Sequence, residues 1–201
     1  MPTFHTMEAL KKLLAEECHY RLRDEIMDRF LDMMTEVRLK VNEPIISYGE
    51  LNSDVYILKE GIIRLIYFDG INERTHAFAL AGTMVMSHHS YFMRYPAFLQ
   101  VEACIESTVM KISKRAFDDL MEESHEFSRW VADMALSQLY SYEMKLSVIN
   151  GTTAKERFVS LAKSRPMIME KVSLKIIASY LGITPQYLSM LKQQFSLLKE
   201  E

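Results

Sequence analysis

The chain has 201 residues, 49% of them hydrophobic and 25% charged, with a net charge of −3, an ordinary balance for a soluble globular protein. No apolar run approaches the roughly 18 residues of a bilayer-crossing helix, and residues 1–14 lack the basic and apolar regions of a signal peptide, so the expected location is the cytoplasm, with no membrane partner. Two cysteines, Cys18 and Cys104, are too few for a disulfide framework and are expected as reduced thiols.

In chain order, Met7, Leu10, Leu13 and Leu14, then Ile26, Phe30, Met33 and Met34, recur at helical spacing and predict helix over 7–36, before Pro44 breaks the pattern. From 45 to 112 the pattern changes to short β-branched or aromatic runs at 44–48, 55–58, 61–68, 75–78, 100–104 and 108–112. Gly49, Asn52-Ser-Asp54, Glu60-Gly61 and the hairpin signal Asp69-Gly70 separate them. Such spacing predicts an antiparallel roll or barrel.

Ser113 reads as a helix cap ahead of Phe117, Leu120 and Met121. A longer periodic stretch follows over 124–149. Ala132, Ala135, Leu139, Tyr142, Leu146 and Ile149 fall at alternating steps of three and four, the stripe of a dimer helix, with an ordinary core helix as the alternative. Phe127, Trp130, Val131, Met134 and Leu136 widen the stripe toward the roll. Asn150-Gly151 ends the helix, and Thr153 with Glu156 has capping-box spacing for the next, which Arg165-Pro166 breaks.

The segment 173–192 meets the requirements of a helix-turn-helix. Ala178 is small enough for close helix packing, Gly182 suits a positive-φ turn, and Ile177, Leu181, Ile183, Leu188 and Leu191 form the wedge. Thr184 caps the second helix and Pro185 occupies its first turn without losing a hydrogen bond. Its exposed positions are then Gln186, Tyr187, Ser189, Met190, Lys192 and Gln193, of which Gln186, Ser189, Met190 and Gln193 face bases. Lys192, Lys175, Lys171 and Arg157 are candidate phosphate contacts or plain surface charges. Charge distribution agrees. Residues 154–201 carry eight basic and four acidic side chains, net +4, against 16 and 23, net −7, in the remainder.

Together these features resemble the Crp/Fnr family over essentially the whole chain. The carriers are Tyr48-Gly-Glu-Leu-Asn-Ser-Asp-Val-Tyr-Ile-Leu-Lys-Glu-Gly61, Ala154-Lys-Glu-Arg-Phe158 and Ile177-Ala-Ser-Tyr-Leu-Gly-Ile-Thr-Pro185. The resemblance implies an α+β protein: an N-terminal antiparallel, jelly-roll-like β-roll sensor over 1–123, a dimerisation helix over 124–150 centred on Ala135, Leu139, Tyr142 and Leu146, and a helix-turn-helix domain over 151–201 with a minimal wing. It implies a homodimer on double-stranded promoter DNA, with RNA polymerase a further candidate partner. A signal in the roll would shift the dimer helix and set the spacing of two recognition helices.

The departures concern the ligand cassette. Aligned without gaps from Gly82 to Ile112, past Met86, its ribose-binding Glu falls on Ser87, its phosphate-binding Arg on Ala97 and the next Ser on Phe98. An anion without its cation is poorly compensated, so cyclic AMP is not expected as the ligand. Arg94 is a candidate replacement, and His88 and Glu102 complete the expected pocket, which takes another small molecule or is filled by Phe92, Met93 and Phe98. In the recognition helix Met190 and Pro185 stand where the family often has arginines, so altered base preference is expected.

His88-His89 on a strand would diverge and chelate poorly, and no cysteine cluster is available for iron and sulfur. Haem at His76, His88 or His89 is the remaining cofactor option, and none is expected, an unidentified effector aside. No catalytic motif is present, so an enzyme is not expected. The alternative is a dimeric effector- or protein-binding sensor whose helix-turn-helix no longer reads DNA.

Overall fold

The computed structural model describes residues 7–16, 18–70 and 72–197. Helices α1 (Met7–Glu16) and α2 (Asp24–Asp32) and strand β1 (Thr35–Leu39) replace the continuous helical stretch expected over 7–36. The break is set by a distant residue. Asp133 accepts hydrogen bonds from the amides of His19 and Tyr20, at 2.6 and 3.0 Å, and pins the chain between the two helices.

Among the described residues seven further strands follow: β2 (Pro44–Ile46), β3 (Val55–Glu60), β4 (Ile63–Asp69), β5 (Asn72–Ala79), β6 (Met84–Met86), β7 (Gln100–Ala103) and β8 (Ser107–Ile112). They form two antiparallel sheets of order β1-β8-β3-β6 and β2-β7-β4-β5. Their inner faces share one core of Leu39, Ile46, Tyr56, Leu58, Ile63, Val85, Leu99, Val101, Ala103 and Val109, as in a roll built of two facing sheets. Strand alternation sends Val55 and Ile57 to the opposite face of β3, into a second core. Gly61 adopts φ 109°, and a Cβ there would lie 2.7 Å from the Cα of Ser107, so only glycine fits between β3 and β4.

The second core joins the first sheet to α1, α2, α4 (Lys114–Glu123) and α5 (His125–Gly151). Its centre is a cluster of Phe30, Phe117, Phe127 and Trp130, with Phe30 4.9 Å from Phe127 and 5.7 Å from Trp130. Ser113 and Ser124 cap α4 and α5 through their hydroxyls. Helix α3 (His88–Met93), capped by Ser87, and the three-residue β6 are additions to the sequence reading. His88 and His89 therefore lie on a helix, where a strand was expected; Ser87 supplies the N-cap that starts it.

The C-terminal part is helical: α6 (Ala154–Ser164), α7 (Pro166–Lys171), α8 (Leu174–Leu181) and α9 (Pro185–Leu197). The capping box of Thr153 and Glu156 is formed. Pro166 opens α7 at a position that needs no amide donor. The expected wing has no strand among the described residues, since 166–171 fold as the helix α7 and α9 runs on to Leu197; residues 198–201 lie outside the described residues. A third core packs Phe158, Leu161, Ile168, Ile177, Leu181, Leu188 and Leu191 against Ile62, Phe78 and Cys104 of the roll. No described helix is long and apolar enough to cross a membrane.

Candidate nucleic-acid interface and effector pocket

The turn between α8 and α9 forms from local chemistry. Ser173 accepts from the amide of Ile176 at the start of α8. Gly182 ends it at φ 69°, and the Ile183 amide bonds back to the Ala178 carbonyl at 3.0 Å. Thr184 Oγ1 accepts from the Tyr187 amide at 3.2 Å and caps α9. Of the expected wedge, Ile177, Leu181, Leu188 and Leu191 are buried together with Ala178, and Ile183 is half-buried.

This leaves Gln186, Tyr187, Met190 and Gln193 exposed on one side of α9, with Thr184 at its start and Ser189 half-buried beside them. Lys175 and Lys171 are exposed. Two candidate phosphate contacts also bond within the fold. Lys192 is half-buried and donates to the Met169 carbonyl of α7 at 3.4 Å. Arg157 donates to the carbonyls of Thr152 at 2.6 Å and Leu181 at 3.3 Å, clamping α6 to the end of α8.

The sequence did not show what α8 touches on its other side. Ser179 accepts from the Thr75 amide of β5 at 2.9 Å and donates to the Glu73 carbonyl at 3.4 Å. Tyr180 packs on Phe78, ring centroids 5.0 Å apart, and Arg165 donates to the Phe78 carbonyl. Lys145 of α5 lies over the Tyr180 ring at 5.1 Å. Burial, helped by nearby Arg165, pulls its ammonium down to about 8.

On α5, Ala135, Leu139 and Leu146 are exposed, with Leu136 at 65% and Tyr140 at 62% beside them, an uncovered apolar face. Tyr142 departs from this stripe. It is half-buried and stacks on His76 of the roll. The Ile149 side chain lies outside the described residues.

The cassette residues fall into three places. Ser87 is buried as the cap of α3, and its hydroxyl meets Ser90 at 3.1 Å. Ala97 is buried, its amide donating to the Glu50 carbonyl and its carbonyl accepting from the Gly49 amide, both at 2.8 Å. Met86 is half-buried and His88 is exposed at the start of α3, where partial desolvation still lowers its imidazole below the usual range. Arg94 is exposed at the end of α3 in the left-handed conformation, φ 57°. Phe92 and Met93 are exposed and fill nothing; Phe98, also exposed, stacks on Tyr67.

Glu102 does not line the roll interior. Val101 and Ala103 point inward, so alternation turns Glu102 outward. There its Oε1 accepts from Arg64 Nε at 2.8 Å, and Arg64 also reaches Thr75 at 3.2 Å and Glu73 at 3.1 Å. Gly82 borders a small cleft of about 40 Å³ between β6 and α5, lined by Met84, Met134, Ser137, Gln138 and Ser141, with room for water. A cyclic nucleotide does not fit this donor set, because Ala97 offers no charge, Arg94 faces solvent and Arg64 is held by Glu102. No group of three or more metal-ligating side chains occurs among the described residues.

Residues 36–124 match the family model described as Cyclic nucleotide-binding domain. No curated protein matches the chain in sequence. Among solved structures, FixK2 from Bradyrhizobium japonicum is similar with a TM-score of 0.70 and 20% identity over 83% of this chain and 86% of that one. The c-di-GMP-responsive global regulator CLP of Xanthomonas campestris has a TM-score of 0.65 and 13% identity, covering 87% and 92%. The Thermus thermophilus catabolite activator protein has a TM-score of 0.56 and 15% identity, covering 93% and 88%. At these identities the likeness is one of fold. Residues 36–124 thus match the Cyclic nucleotide-binding domain family, and the described chain has the fold of Crp/Fnr-type regulators.

Proposed function

We propose that the chain is a dimeric, non-enzymatic transcription regulator of Crp/Fnr type that works in the cytoplasm on promoter DNA. Cyclic AMP is not its signal in this reading. The observation that carries it is α9: a capped helix, braced by α8, that presents Gln186, Tyr187, Met190 and Gln193 to solvent. A helix so held enters a major groove, and two glutamines suit adenine edges. The uncovered apolar face of α5 supports the homodimer, and RNA polymerase is a further partner in this reading.

Selection of purified protein on random duplex DNA at two salt concentrations tests this. A two-fold symmetric site, weakened by salt, is expected. On that site Gln186→Ala should relax one base position by about 1–3 kcal/mol, and Lys175→Ala should lower the salt slope by about 1. Met190, exposed on the same face where a guanidinium would read guanine, favours the second reading, a sensor module that has lost DNA. Salt-dependent binding to such a site would exclude that alternative, and its absence would leave two options, an obligatory effector missing from the assay or a lost DNA function.

A further inference from the structure

His76 is out of step with its strand. Leu65 of β4 pairs with Ala77 and Ile66 with Thr75, so His76 is the extra residue of a β-bulge. A bulge takes one side chain out of the alternation and re-aims it. The His76 ring meets Tyr67 of β4 edge-on at 4.9 Å and stacks on Tyr142 of α5 at 5.8 Å, with the planes 22° apart. Tyr67 in turn stacks on Phe98 at 5.7 Å and 23°. Phe98 meets His89 of α3 edge-on at 5.3 Å. An unbroken run of rings therefore joins the cassette segment to α5. Burial, with Lys145 adding to it, holds His76 down to about 4, so the stacked ring is neutral at physiological pH.

The same strand holds the helix-turn-helix. Thr75 and Phe78 flank His76 and make the contacts to Ser179 and Tyr180 of α8. Strand β5 is thus fixed on one side by the ring ladder and grips α8 with its neighbouring residues. In the cassette region Ala97 offers no charge and Arg94 is turned to solvent, while rings supply a cassette-to-helix link.

We propose that the aromatic ladder Phe98–Tyr67–His76–Tyr142 is a built-in substitute for an effector, tying the cassette to α5 and, through the bulge in β5, holding α8 on the roll without a small molecule. This rests on the regulator reading only for its consequence at DNA. The seam itself can be read directly by hydrogen exchange of the full-length protein. Wild type should protect the Thr75 amide and residues 174–181 with no additive, and millimolar cyclic AMP or cyclic GMP should leave that protection unchanged. Phe98→Ala should speed exchange at both places by about tenfold or more, whereas Phe92→Ala, an exposed ring on the same segment outside the ladder, should not. His76→Phe keeps a neutral ring in the stack and should behave as wild type. Unchanged seam exchange in Phe98→Ala, or a seam in wild type that gains protection only with added nucleotide, would overturn the proposal. Accelerated exchange in Phe98→Ala with no DNA binding by wild type would sustain the ladder and remove the regulator reading, which keeps the two failures apart.

Discussion

Arg64 and Glu102 form a buried ion pair whose energetics depend on both partners remaining. Arg64→Ala leaves the Glu102 carboxylate enclosed without its cation and should cost about 3–5 kcal/mol. The double variant Arg64→Met with Glu102→Leu removes both charges and should be far less damaging; thermal denaturation of the two proteins checks the difference. Lys145 is the opposite case, a half-buried cation that lies over the Tyr180 ring beside Arg165. Its folded pKa of about 8 lies below the ordinary 10.5, so between those values the unfolded chain binds more protons and stability rises with pH. Below pH 8 the penalty is present in full. Lys145→Met should therefore raise stability at pH 7 by about 1–2 kcal/mol, less the lost contact with Tyr180, and flatten the stability profile between pH 8 and 10. Denaturant midpoints across that range measure both effects.

At the scale of elements, α5 has two faces with different work. Phe127, Trp130 and Met134 bury one side against the roll, and Ala135, Leu136, Leu139 and Leu146 leave the other uncovered. Leu139→Asp places a charge in the middle of that exposed stripe. It should shift the protein to monomer in sedimentation velocity while leaving its helical circular dichroism unchanged, because Leu139 is not part of any core of the single chain. Helix α9 is likewise divided. Leu188 and Leu191 anchor it, and Gln186, Tyr187, Met190 and Gln193 are exposed on its other side. The heptad reading placed Ala135, Leu139 and Leu146 on one stripe and had Leu136 widen it toward the roll, whereas Leu136 is exposed. That reading could not separate Tyr142 from the stripe, because the position lies at its edge and only the approach of His76 decides which way the ring turns.

At the scale of the molecule, the helix-turn-helix and the roll share a core. Ile62, Phe78 and Cys104 pack with Phe158, Ile177 and Leu181, and Arg165 and Ser179 bond across the same seam. Burial raises the Cys104 thiol to about 12, which keeps it protonated within this core. Separate domains would unfold separately; a shared core should give a single calorimetric transition with calorimetric and van't Hoff enthalpies in agreement. Two resolved transitions would mean that the seam opens well below the unfolding of the roll.

The amino-acid order determined by itself those features whose physics is local. Ser113, Thr153 and Thr184 announce helix starts because a cap needs only the next turn, and Gly182 marks a turn because its φ excludes most other residues. The alternating runs of the roll and the wedge of the helix-turn-helix were legible for the same reason. The tertiary structure alone decided what depends on distant partners. Asp133 breaks the N-terminal helical stretch, Glu102 turns outward to Arg64, and Arg157 and Lys192 are drawn to carbonyls. Thr75 meets Ser179 across 104 positions of chain, and the bulge sets His76 between Tyr67 and Tyr142. Such contacts carry no periodicity, since a hydrogen bond or a stacked ring is set by where two elements pack and not by the spacing of either one.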